Sequence, residues 1–144
     1  MRVSIAEQIQ SDVTAALKAG DRDRVGALRL VLSELQKAAK AGDADEQAVL
    51  RRERKRRRES ETAYADAGRA DLAAAEAYEA VIIESYLPAG LGEAEVDALV
   101  AQAIAETGAS GPRDMGRAIG HVMAAAGGRA DGGTVSAKVK AALT

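Results

Sequence analysis

The chain has 144 residues and a formal net charge of −2, from 20 Lys and Arg against 22 Asp and Glu. Near-neutrality excludes a global field drawing it onto nucleic acid or membrane, and the absence of Cys excludes disulfides and thiolate chemistry. Ala fills roughly a quarter of the positions, Phe and Trp are absent and Tyr occurs three times, so the composition predicts an all-α protein with closely packed helices and few platforms for stacking single-stranded RNA.

The opening residues, "MRVSIAEQIQSDV", mix charge into the apolar positions and read as no signal peptide. No apolar run approaches the ~20 residues of a membrane span, so the expectation is a soluble, cytoplasmic protein with no membrane partner. Ser4 and Glu7 form a capping box, and Ile5, Ile9, Val13, Ala16 and Leu17 make one stripe of a first helix ended by Gly20. Asp21 caps a second helix, carrying Val25, Leu28, Leu32, Leu35 and Ala39 and ending near Gly42. Asp43 or Asp45 opens a third, which ends at Gly68. A fourth stops before Pro88, with Leu72, Ala75, Ile82, Ile83 and Tyr86 expected inward.

"LPAGLGEAEV" reads as the boundary between an N-terminal helical domain, residues 1–90, and a three-helix tail, residues 91–144. Val96, Leu99, Val100, Ala103 and Ile104 pattern the fifth helix, which ends at Gly108. Ser110 is expected to cap the sixth, with Pro112 in its first turn and Met115, Ile119, Val122 and Met123 inside. Gly127 and Gly128 break it, and Val135, Val139 and Leu143 line the last helix. The tetrapeptide "GRAD" occurs at Gly68–Asp71 and at Gly128–Asp131 with unrelated flanks, which makes it a local helix-hairpin device rather than a repeat.

Little here offers catalysis. His121 is the single His and has no orienting partner that the sequence reveals, so no catalytic residue is assigned. Glu93, Glu95 and Asp97 suit a helix N-terminus better than a metal, and neither metal nor cofactor is expected. The loop "GGRADGGT" lacks the Gly-Lys-Ser/Thr ending of a phosphate loop; it reads as a turn in which Asp131 or Thr134 caps the last helix. Its amides beside Arg129 can also receive a phosphate.

Charge is unevenly sorted. "RRERKRRRE", Arg51 to Glu59, holds seven bases against two acids and wraps its helix all round. Two readings stay open: a solvated helix paired with acids elsewhere, or a surface for phosphates or an acidic partner. Glu93 to Glu106 carries four acids and no base, whereas Arg113, Arg117, Arg129, Lys138 and Lys140 face only Asp114 and Asp131. That count allows a modest basic surface on the last two helices.

Three stretches, "SDVTAALKAGDRDRVGALRLVLSEL", "RRESETAYADAGRADLAAAEAYEAVIIESYLPAGLGEAEV" and "DMGRAIGHVM…GGRADGGTVSAKVKAAL", together resemble the YqeY-like family. The likeness is collinear over nearly the whole chain. That family is similar to the helical and tail regions of the B subunit of the tRNA-dependent amidotransferase, a carbon–nitrogen ligase with glutamine as amide donor. The subunit's catalytic cradle, which uses ATP and Mg²⁺, has no counterpart in this length. Arg54 and Glu61 stand where the family has apolar residues, and Gly92 where a capping Ser is usual. Gly116, Gly120, Gly128, Asp131, Gly132, Val135 and Val139 fit the tail pattern.

The resemblance implies a non-catalytic accessory protein that binds tRNA through Arg129 and Lys138, with Arg113, Arg117 and Lys140 beside them. The loop of Gly127, Gly128, Asp131, Gly132 and Gly133 would allow close approach, and Arg56, Arg57 and Arg58 would form a second footprint. Amidotransferase or aminoacyl-tRNA synthetase components are the protein partners it implies. The rival expectation is a helical adaptor that uses the basic helix and binds no RNA. A component of an active amidotransferase survives only if partners supply every reacting group.

Overall fold

A computed structural model describes residues 3–144. These residues form seven α-helices and no strand, and backbone contacts divide the chain into two compact units, Met1–Leu87 and Pro88–Thr144.

The first unit holds α1 (Ile5–Ala19), α2 (Arg22–Lys40), α3 (Glu46–Asp66) and α4 (Ala70–Glu84). Local chemistry sets three of the four starts. The Ser4 hydroxyl accepts the Glu7 amide, and Asp21 and Asp45 accept those of Arg24 and Ala48. Helix α1 gains a further cap from a distance: the Glu46 carboxylate accepts the Ile5 and Ala6 amides at 2.9 Å each. Gly20 and Gly68 take left-handed φ values of 72° and 74°, which let α1 and α3 turn back sharply. Ile9, Leu28, Val31, Leu35, Leu50 and Ile83 fill the core.

Three expected inward positions lie outside it. Leu17, Ala39 and Ala75 are exposed, and in α4 the buried alanines are Ala73 and Ala80. The two GRAD segments also differ, because Asp71 sits within the first turn of α4 while Asp131 caps its helix.

The second unit holds α5 (Glu93–Thr107), a 3₁₀ turn (Pro112–Asp114), α6 (Met115–Ala126) and α7 (Gly132–Leu143). Val96, Val100, Ala103, Ala118, Val122, Val135 and Val139 form its core. At Gly92 only the Glu95 half of a capping box exists, a 3.4 Å bond to the Gly92 amide. The Ser110 cap is not formed. Instead Asp114, four residues on, accepts the Ser110 amide at 2.9 Å, since the chain enters α6 through the tighter 3₁₀ turn.

Candidate functional site

The α6–α7 connection is explained first as a turn. Gly127 and Gly128 have φ of 58° and 82°, which a Cβ would penalise. Asp131 then caps α7, accepting the Thr134 amide at 2.9 Å and its hydroxyl at 3.1 Å. A Cβ at Gly133 would stand 3.1 Å from that carboxylate, a tight contact that the capping side chain would have to yield to by a few tenths of an ångström. Gly132 has only the tip of Met123 nearby, at 4.0 Å.

Arg129 ties this loop to the segment leading into α5. Its Nε donates to the Ala89 carbonyl at 2.9 Å, while its own carbonyl accepts the Leu91 amide at 2.8 Å. The two terminal amino groups of its guanidinium bond to nothing among the described residues. Lys138 is in a different situation. Its ammonium lies 2.7 Å from Asp97 and 3.3 Å from Glu93, its side chain is 21% exposed, and the bond to Asp97, then that to Glu93, holds its pKa above the ordinary value. The acids at the start of α5 thus divide their roles, with Glu93 and Asp97 clamping α7 and Glu95 capping α5.

Arg113, Arg117 and Lys140 are exposed. Arg117 reaches Asp114 at 3.2 Å, whose carboxyl is lowered by the Ser110 amide and further by Arg117; Arg113 and Lys140 contact no acid among the described residues. Gly116 and Gly120 share the exposed side of α6 with Arg117, and a Cβ at either would meet nothing within 4 Å. Gly120 is interior to α6, where glycine costs about 1 kcal/mol against Ala, and packing within the protein gives no reason for it.

Much of the basic run of α3 is paired from within the first unit. Arg57 bonds Glu76 at 3.2 Å and Glu79 at 3.3 Å on α4, and lies 3.6 Å from the buried Glu53. Burial works against its charge, yet the three carboxylates outweigh that and hold its pKa above the ordinary value. Arg58 bonds Glu61 and Glu84 at 2.9 and 3.0 Å, and Arg56 bonds Glu53 at 2.9 Å. Glu61, where the family resemblance implies an apolar residue, therefore serves this network. Arg113, in the 3₁₀ turn, and Arg117, in the first turn of α6, are both exposed, whereas Arg56, Arg57 and Arg58 each hold carboxylates of the first unit.

His121 does have a partner, one its sequence neighbourhood hides: Nε2 lies 2.6 Å from the Glu106 carboxylate, 15 residues earlier on α5. Bonds from Gln102 and then His121 lower the Glu106 carboxyl. Ser, Thr and Tyr side chains make no bond to this pair among the described residues. Among the described residues no group of three or more His, Asp or Glu is placed to hold a metal, and no helix is long and apolar enough to cross a membrane.

No curated protein matches the chain. The family model described as Yqey-like protein matches residues 6–143, and this protein therefore belongs to the YqeY-like family.

Proposed function

We infer that this protein is a non-catalytic accessory protein that binds tRNA through its C-terminal unit. One observation carries the reading: two unfilled glycines, Gly116 and Gly120, and Arg117 are exposed on α6, and Arg113 is exposed in the 3₁₀ turn that leads into it. A bare helix side next to guanidiniums lets a phosphate backbone come close, and phosphate contacts dominate such affinity. The terminal amino groups of Arg129 and the ammonium of Lys140 extend this set. Lys138, clamped by Glu93 and Asp97, takes the part of a strut between α5 and α7. The resemblance to the tail of the amidotransferase B subunit supports tRNA as the RNA, and folded RNA is read largely by shape and backbone. Any place beside amidotransferase or synthetase components would follow from delivery of that tRNA.

The adaptor reading has less support, because Arg56, Arg57 and Arg58 already hold carboxylates of their own unit. The test is fluorescence anisotropy of labelled bulk tRNA and of a plain RNA hairpin at low and at physiological salt. Tighter binding of tRNA, weakening as salt rises, is the expected result. Equal and weak binding of both RNAs would overturn the reading.

A further inference from the structure

A groove between α2 and α4 of the first unit is unexplained by fold or by RNA binding. Its lining includes Gly26, Ala27, Leu30, Ala74, Ala75 and Tyr78. Leu30 is 56% exposed, Tyr78 39%, and Val81, one turn beyond Tyr78, 55%. Leu30 and Tyr78, large apolar side chains on two neighbouring helices, are thus exposed at one groove, with Val81 exposed one turn further along α4. Gly26 adds a second anomaly. It sits inside α2, where glycine weakens a helix, and a Cβ there would meet nothing within 4 Å. The glycine keeps the groove floor low, with Ala27, Ala74 and Ala75 beside it, and small residues let another helix approach closely.

The charges around the groove identify its occupant. Where it continues past Leu30 it meets Glu34, Glu53, Arg57 and Glu79, and at the other end Arg22 and Asp23. Four carboxylates thus stand against two guanidiniums. Arg57 alone serves Glu53, Glu76 and Glu79 from α3, with Arg56 helping only at Glu53. Burial pushes the Glu79 carboxyl upward, the Arg57 charge pulls against it, and the neighbouring Glu76 adds to the rise. Asp23 and Glu34 have no cationic partner among the described residues. They are three helical turns apart on α2, about 16 Å.

We propose that the α2–α4 groove is a docking site for a basic amphipathic helix of a partner protein, its apolar side on Leu30, Tyr78 and Val81 and its Lys or Arg residues beside Asp23, Glu34 and Glu79. Helix-in-groove recognition uses anchors at i, i+3, i+4 and i+7, and the acidic rim repels nucleic acid. The site is independent of the α6 side that we assign to RNA.

The probe is a helical peptide of about 18 residues with Leu on one side and Lys on the flanks; its counterpart has Glu for every Lys. Binding to the full chain is followed by amide chemical shifts and anisotropy. The Lys peptide is expected to shift Leu30, Ala74, Tyr78 and Val81, and to bind at least about tenfold tighter than the Glu peptide. Gly26→Leu fills the groove without straining α2, so it should weaken binding about tenfold or more while the melting temperature stays level or rises. Glu34→Lys with Asp23→Lys should reverse the preference between peptides. Shifts confined to other surfaces, equal response to both peptides, or no binding would overturn the proposal. A dimer that buries Leu30 in the absence of peptide would overturn it too, by giving the groove to a second copy of this chain.

Discussion

The Arg57 guanidinium on α3 bonds the Glu79 carboxylate on α4 at 3.3 Å, and that pair lies at the centre of the packing between these two helices. Helix α3 buries only Val49, Leu50 and Glu53, so its C-terminal half relies on arginine stems and carboxylates rather than on an apolar stripe. Arg57→Ala strips a partly buried guanidinium from three carboxylates and is expected to destabilise the first unit by about 2 kcal/mol, between the worth of surface and buried pairs. Arg57→Met, which keeps the stem but not the charge, should recover a minor part. Arg52→Ala, on an exposed pair with Asp43, should leave the urea midpoint unmoved.

Glu46 ties the start of α3 to the start of α1 through the Ile5 and Ala6 amides. Glu46→Ala leaves both amides without that acceptor and is expected to cost about 1–2 kcal/mol, the range for a lost N-terminal cap. Hydrogen exchange should quicken through α1 and leave α5, α6 and α7 unchanged.

Tyr86 donates its hydroxyl to the Asp12 carboxylate, and burial followed by that bond raises its pKa well above the ordinary value of 10.0. A raised pKa stabilises the fold below the unfolded value, and that stabilisation is lost as pH climbs through the folded one. In an alkaline spectrophotometric titration the folded protein should therefore ionise one tyrosine fewer than the urea-unfolded chain until it unfolds. Tyr86→Phe should abolish the difference.

Glu106 and Asp114 have carboxyls lowered by hydrogen bonds from Gln102 and His121 and from the Ser110 amide. Their contribution is present above the unfolded values of about 4.3 and 3.9 and disappears as pH falls through the lower folded ones. Glu106→Gln is expected to flatten the acid limb of the stability profile and to leave the neutral plateau in place.

Two glycines of the second unit stand in opposite situations. Gly127→Ala forces a Cβ into φ of 58° and should lose about 1 kcal/mol. Gly120→Ala stands in open helix and should gain up to about 1 kcal/mol, while weakening RNA binding by crowding the α6 side. Opposite signs in thermal melts, with both changes reducing tRNA affinity, would separate fold from function.

Helix ends are legible in the sequence wherever one residue decides them: Ser4, Asp21, Asp45 and Asp131 each accept an amide, and Gly20, Gly108 and Gly127 each turn left-handed. The inward side of α4 is not. Ala occupies 73, 74, 75, 77 and 80, so the pattern offers no contrast between buried Ala73 and exposed Ala75. Long-range pairing is equally hidden, since the α4 acids that hold Arg57 and Arg58 lie 19 to 26 residues away. The same holds for Lys138, whose partners Glu93 and Asp97 are more than 40 residues earlier. Local charge counts along the tail therefore overstate how much of its positive charge is open.

The most direct measurement compares two triple variants for tRNA affinity at one salt concentration: Arg113→Ala/Arg117→Ala/Arg129→Ala and Arg56→Ala/Arg57→Ala/Arg58→Ala, each shown folded by its helical circular dichroism. The tail variant should weaken binding at least about tenfold and flatten its salt dependence, with the α3 variant close to the parent. Loss confined to the α3 variant, or full affinity in both, would contradict the assignment of RNA binding to the C-terminal unit.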